Sequence, residues 1–192
     1  MRTFALLLAA LLMSCACGRS AEEPPSIAIQ VDSLGKVRRE GKNPGLLVAI
    51  YGDGRIVWSK DQEKGGDPLL TARIEKAKVD DLLQRWSREI ELNQKKFPRG
   101  YLGPDASYHK VSLRLEKARI ELVTWHELYE ENPRIVAMPA LTSLEGKSRE
   151  EALKSAPKEY LRFREVWKDI RTSVAALIPE KGEPFEGKIT FK

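Results

Sequence analysis

With 192 residues, the chain leaves about 170 after loss of an N-terminal leader, which fits one domain with a single sizeable core. Charged residues make up 32% and mean hydropathy is −0.42, yet the apolar residues recur in periodic groups, which excludes a globally disordered chain. A formal net charge of +5, spread along the sequence, is too modest to identify a nucleic-acid or membrane partner.

In residues 1–20, Arg2 precedes an almost wholly apolar run from Phe4 to Met13, and small residues follow with both cysteines, Cys15 and Cys17. This is the three-part build of a secretory signal, and its apolar run is too short to cross a bilayer as a permanent helix. Leu12-Met13-Ser14-Cys15 resembles the lipobox of bacterial lipoproteins, with Met13 in place of the usual small or β-branched residue. The resemblance implies cleavage before Cys15 and acylation of that cysteine as a membrane anchor. Ordinary cleavage after Ala16 or Ser20 is the alternative, and a mature domain that starts beyond Cys17 has no disulfide. Residues 21–25, Ala-Glu-Glu-Pro-Pro, read as a linker, and residues 26–192 as a single α+β domain.

Within that domain, Ile27, Ile29 and Val31 alternate with Ala28, Gln30 and Asp32 and predict a first strand over 26–32. Residues 33–45 carry two glycines, Pro44 and several charges, and read as a loop. Leu46 to Ser59 reads as two strands joined at Asp53-Gly54 by a two-residue type I′ turn. A polar connection over 60–68 leads to a short strand through Leu70, Ala72 and Ile74. From Lys76 to Ile90, Val79, Leu82, Leu83, Trp86 and Ile90 fall at helical spacing. Residues 93–107 read as loop, and a second hairpin is expected from Tyr108–Glu116 and Arg119–Trp125. Its outward row of His109, Ser112, Arg114, Arg119 and Glu121 suits an antiparallel sheet wet on one side. His126 to Ser155 is an irregular stretch. A long helix over 156–178 follows, carrying Tyr160, Phe163, Trp167, Ile170, Val174 and Leu177, with Ser155 as cap, Pro157 in the first turn and Pro179 as stop. Lys188–Phe191 reads as a short edge strand. The expected fold is an antiparallel sheet built from hairpins and covered on one face by two helices.

The chemistry-bearing residues form no recognised catalytic motif. His126-Glu127 lacks the second histidine of a zinc-protease helix, and Gly146-Lys147-Ser148 lacks the first glycine of a phosphate-binding loop, since Leu141 stands there. Ser33-x-x-Lys36 and Ser155-x-x-Lys158 lack the companion motifs of penicillin-binding enzymes. The basic runs 36–42 and 95–99 read as solvated loops, because charge alone supplies only non-specific attraction. Trp58, Trp86, Trp125 and Trp167 sit on strand or helix patterns and read as core.

In layout the mature region resembles uncharacterised exported bacterial α+β domains, with an early Asp-Gly hairpin, a helix after the short strand through Leu70, Ala72 and Ile74, and a long terminal helix. The first functional reading is a non-enzymatic envelope protein at the periplasm or cell surface, acting as a binding or structural module without cofactor or metal. Membrane attachment is expected through Cys15, and export argues against nucleic acid as a partner. The second reading is a hydrolase-like envelope enzyme that uses His126, Glu127 and Glu130, assisted by Arg134 or Tyr129; long irregular loops of this kind often carry function.

Overall fold

The alternation of Ile27, Ile29 and Val31 is realised as β1 (Ile27–Ser33), which lies near the middle of an eight-stranded sheet. The structure, a computed structural model, describes residues 23–33, 41–91, 100–101, 107–115, 118–125, 151, 154 and 158–191. After β1 come β2 (Leu46–Ile50), β3 (Arg55–Ser59), β4 (Leu69–Arg73), α1 (Lys76–Glu91), β5 (Gly100–Tyr101), β6 (Ser107–Arg114), β7 (Arg119–Trp125), α2 (Lys158–Leu177) and β8 (Glu183–Phe185). The spatial order is β5-β7-β6-β1-β2-β3-β4-β8, antiparallel throughout except for the parallel β5–β7 pair. The fold is α+β. Two hairpins, β2–β3 and β6–β7, are joined by β1, whose Ala28 faces Ala49 on one side and Ser112 on the other.

Both helices cover the same face of the sheet. Val79, Trp86 and Ile90 of α1 and Phe163, Trp167, Ile170 and Val174 of α2 pack with Ile29, Ile50, Ile56, Val111, Leu113 and Leu122 in one core. Trp86 and Trp167 are buried against the strands, as their spacing predicts, and Phe163 stacks on Trp167 at 5.9 Å between ring centroids. Burial of each such side chain stabilises the fold by roughly 1.5–3 kcal/mol before conformational entropy is subtracted. The helices are also joined by polar groups, since Asp169 on α2 accepts from the Trp86 indole and from Arg85 on α1.

Several local expectations are corrected. The β2–β3 connection is a three-residue loop: Gly54 N–H donates to the Tyr51 carbonyl at 3.0 Å, and Tyr51 N–H donates to the Arg55 carbonyl at 2.9 Å. Gly52 and Asp53 are therefore the central turn residues, and Gly54, at φ 85°, takes the left-handed position that follows a type I turn. His109 shares parity with Val111 and Leu113, which puts it on the helix-covered face and out of the outward polar row. A two-residue strand at Gly100–Tyr101 pairs with Val123–Thr124 inside the expected 93–107 loop. The last strand is 183–185; residues 188–191 are not an edge strand but part of a segment that turns back onto the sheet. Glu151 and Lys154, assigned from sequence to the long irregular stretch, are helical. The leader, Ser155, Pro157 and the side chains of Trp125 and Tyr160 lie outside the described residues.

A bulge in β2 prepares the second face of the sheet. Ile29 faces Val48 while Gln30 faces Leu46, so Leu47 is the extra residue. Leu47 and Val48 both join the helix-side core, and Leu46 and Ala49 point to the opposite side. The irregularity leaves carbonyls to satisfy, and the 60–68 connection supplies the donors: Gly66 N–H reaches the Leu46 carbonyl at 2.8 Å, and Gln62 Nε2 reaches that of Leu47 at 3.3 Å. Such close approach requires glycine at Gly65, where φ is 68° and a Cβ would lie 2.6 Å from the Gly45 carbonyl oxygen.

Candidate functional site

The second face of the sheet is floored by small side chains. Ser112, Ala28, Ala49 and Val57 stand side by side on β6, β1, β2 and β3 in the strand register. Three of these four positions carry Ala or Ser, so a chain can lie directly across the strands. The C-terminal segment 186–191 occupies this trough. Ile189 is 4% exposed and packs with Leu46, Ala49, Tyr51, Val57 and Leu69, with Phe185 and Phe191 at the margins. The expected wet face is therefore buried where Leu46, Ala49, Val57 and Leu69 meet the C-terminal segment.

Asn43 fastens the segment. It is 4% exposed and sits in the Asn-Pro-Gly turn before β2. Its Oδ1 accepts from Ile189 N–H at 2.8 Å, and its Nδ2 donates to the Gly187 carbonyl at 2.9 Å and to Asp67 Oδ1 at 3.3 Å. Two acceptors on one side and a donor on the other fix the orientation of the amide. Asp67 is itself held by Lys42 N–H at 2.9 Å, and Lys42 Nζ donates to the Glu186 carbonyl at 3.1 Å. At the far end Arg119 Nη1 donates to the Phe191 carbonyl at 2.5 Å, while its Nη2 pairs with Glu121 at 3.0 Å. Arg55 stacks over the Tyr51 ring, 3.8 Å from guanidinium to centroid, and closes the margin near the β2–β3 turn.

Beside Phe191 lies a cavity of about 10 Å³, lined by Pro25, Ala28, Ser112, Leu113, Arg114 and Arg119. That is near the lower limit for a single water. Ser112 Oγ is buried there without a hydrogen-bond partner. The Trp167 indole N–H on α2 is also buried without one. One turn further along α2, burial pulls the Arg171 guanidinium down from the ordinary arginine range to about 10 by desolvation, and it stays cationic at neutral pH.

The candidate residues expected from sequence, His126, Glu127, Glu130 and Arg134, lie outside the described residues, as does Cys15. Among the described residues no group of three or more His, Cys, Asp or Glu side chains comes together to hold a metal ion. No helix among them is long and apolar enough to cross a membrane. What the structure brings together is a backbone-reading amide, an apolar niche and an arginine along one trough. Sequence reasoning missed Asn43, because Asn-Pro-Gly reads as turn chemistry alone. It read Lys188–Phe191 as a short edge strand.

No family model and no curated protein matches this chain.

Proposed function

We propose that the chain is an exported protein of the cell envelope, lipid-anchored through Cys15 or secreted, and that it acts as a non-enzymatic binding module. The observation that carries the binding role is Asn43, whose amide holds the main chain of Gly187 and Ile189 against the sheet. An amide that donates to one carbonyl and accepts from the N–H two residues on recognises extended backbone whatever its side chains, and performs no reaction on it. The leader, with its apolar run before Cys15, supports export. The linker over 21–25 then holds the domain a short distance from any membrane to which Cys15 is attached.

Cell fractionation with mass spectrometry of the mature N-terminus tests export and anchoring separately. A chain beginning at an acylated Cys15 in the membrane fraction is expected. A start after Ala16 or Ser20 removes the anchor while preserving export, and an uncleaved chain in the cytosol overturns both. The non-enzymatic role is tested by assaying the purified protein for hydrolase activity; a specific activity abolished by His126→Ala overturns it in favour of the loop enzyme.

A further inference from the structure

Strand pairing gathers four arginines, far apart in sequence, into one row on the second face at one end of the sheet. Arg73 of β4 faces Arg55 of β3, and Arg114 of β6 faces Arg119 of β7. Between the two pairs the row runs through Tyr51, on whose ring Arg55 lies, and Ser26, whose carbonyl accepts from Arg114 N–H at 2.7 Å. It crosses six neighbouring strands and is about 24 Å wide. We propose that this row lies against an anionic phospholipid surface and orients the domain on the membrane to which Cys15 attaches it. The proposal rests on the anchored form of the envelope reading and names what the tethered domain meets there.

Like charges set directly opposite one another across strands oppose folding, so two such pairs at one end of a sheet point to a surface kept for an anion. Asp53 lies 3.4 Å from Arg73, and Glu121 lies 3.0 Å from Arg119. These four side chains are between 42% and 73% exposed, so water and salt weaken both pairs. The guanidinium fork also matches phosphate in geometry. Arg114 makes no ion pair among the described residues. Glu75, just beyond β4, is taken up by Lys78 of α1. With the exposed Glu23 counted against it as well, the row remains net positive.

The chain enters the domain at this same row. Pro25 lines the small cavity together with Arg114 and Arg119, and Ser26 is in the row itself. The stretch from Cys15 to Glu23 reaches at most about 28 Å when fully extended, so an anchor at Cys15 brings this end of the sheet to the headgroups ahead of the opposite end. Close to an anionic surface, each arginine is worth roughly fivefold in affinity. The exposed Lys60 and Lys64 follow the far end of β3, about 17 Å away, which is about two screening lengths at physiological salt.

The test uses the full chain carrying Cys15→Ser, which cannot be acylated there, and sedimentation with vesicles of phosphatidylcholine alone or in equimolar mixture with phosphatidylglycerol. Because that chain has no anchor, the result does not depend on whether Cys15 is acylated in cells, which the mass of the mature N-terminus decides separately. The mixed vesicles are expected to bind it roughly tenfold or more tightly than the neutral ones, and high salt to remove the difference. Variants are compared on the same vesicles, so the apolar leader contributes equally. Arg73→Gln with Arg114→Gln is expected to cost roughly tenfold or more on the mixed vesicles; Lys60→Gln with Lys64→Gln, the same change in net charge, should cost less than about twofold. Equal losses for the two pairs overturn the proposal, as does binding indifferent to lipid charge. Should the arginine variant fail to fold, hydrogen exchange of the vesicle-bound Cys15→Ser chain decides: slowing at Gly52 and Asp53 supports the orientation, and slowing only elsewhere or nowhere overturns it. Binding to soluble dextran sulfate with none to the vesicles assigns the row to an anionic polymer and overturns the lipid surface.

Discussion

Trp86 Nε1 donates to Asp169 Oδ2 at 2.7 Å, joining α1 to α2 by a hydrogen bond from a buried indole to a half-exposed carboxylate. The same carboxylate accepts from Arg85 at 2.9 Å, and Arg85 also reaches Ser173 Oγ at 2.9 Å. This pairing joins the two helices directly, on top of the core that they share. A second link, Arg162 to Glu89 at 2.8 Å, is exposed on both sides and adds little by comparison.

Asp169→Ala leaves the Trp86 indole N–H buried without an acceptor, and a cost of about 1–3 kcal/mol in unfolding free energy is expected. Trp86→Phe removes the donor while keeping most of the ring, and Asp169 can then turn to water. A double-mutant cycle by urea denaturation should return a coupling of about 0.5–1.5 kcal/mol between the two positions, and no measurable coupling would contradict the assignment.

Asn43→Ala strands the buried Ile189 N–H and is expected to cost about 1–3 kcal/mol, with early loss of protection at the C-terminal segment in hydrogen exchange. Asn43→Asp should be worse at neutral pH, because the new carboxylate faces Asp67 and the Gly187 carbonyl. The folded state then holds the new carboxyl's proton more tightly than the unfolded state does, so the deficit shrinks as pH falls through the folded-state pKa. Thermal melting of the variant and wild type across acid pH checks the sign.

Gly54→Ala combines a left-handed backbone with a Cβ that would lie 2.5 Å from the Ile74 carbonyl oxygen. The left-handed conformation alone costs about 1–2 kcal/mol, and the clash adds to it. At Gly52 a Cβ would meet only Ser26 Oγ, at 3.3 Å, so Gly52→Ala should be clearly milder. Equal melting temperatures for the two variants would contradict the three-residue turn.

Arg171 is held down to about 10 by desolvation, so the folded chain gives up this proton before the unfolded chain does. Above that pH the unfolded state binds more protons, and the stability contributed by this group rises with pH. Wild type should therefore gain on Arg171→Met as pH rises from about 9 to 11, the common alkaline losses cancelling in the difference. A flat difference in unfolding free energy would show that the guanidinium is better solvated than its surroundings imply.

Both helix faces and the four strands of the two hairpins were legible because each depends on spacing within a dozen residues. Val79, Trp86 and Ile90, or Phe163, Trp167 and Ile170, announce a buried stripe wherever the helix comes to rest. His109 was placed on the wrong side because its polarity was weighed above its parity with Val111 and Leu113. The expected loop site at His126, Glu127, Glu130 and Arg134 falls outside the described residues, whereas Asn43 was hidden because its role depends on partners 144 and 146 positions away along the chain.

Local patterning by itself determined that this chain forms an antiparallel sheet with two amphipathic helices on its apolar side, since a period of two or of 3.6 residues dictates which side chains share a surface. Only the tertiary structure decided what covers the other side. Ala28, Ala49 and Ser112 are unremarkable one at a time, and they become a trough when strand pairing sets them next to one another. The segment around Ile189 can then lie across it, held by an asparagine that no short-range pattern connects to it.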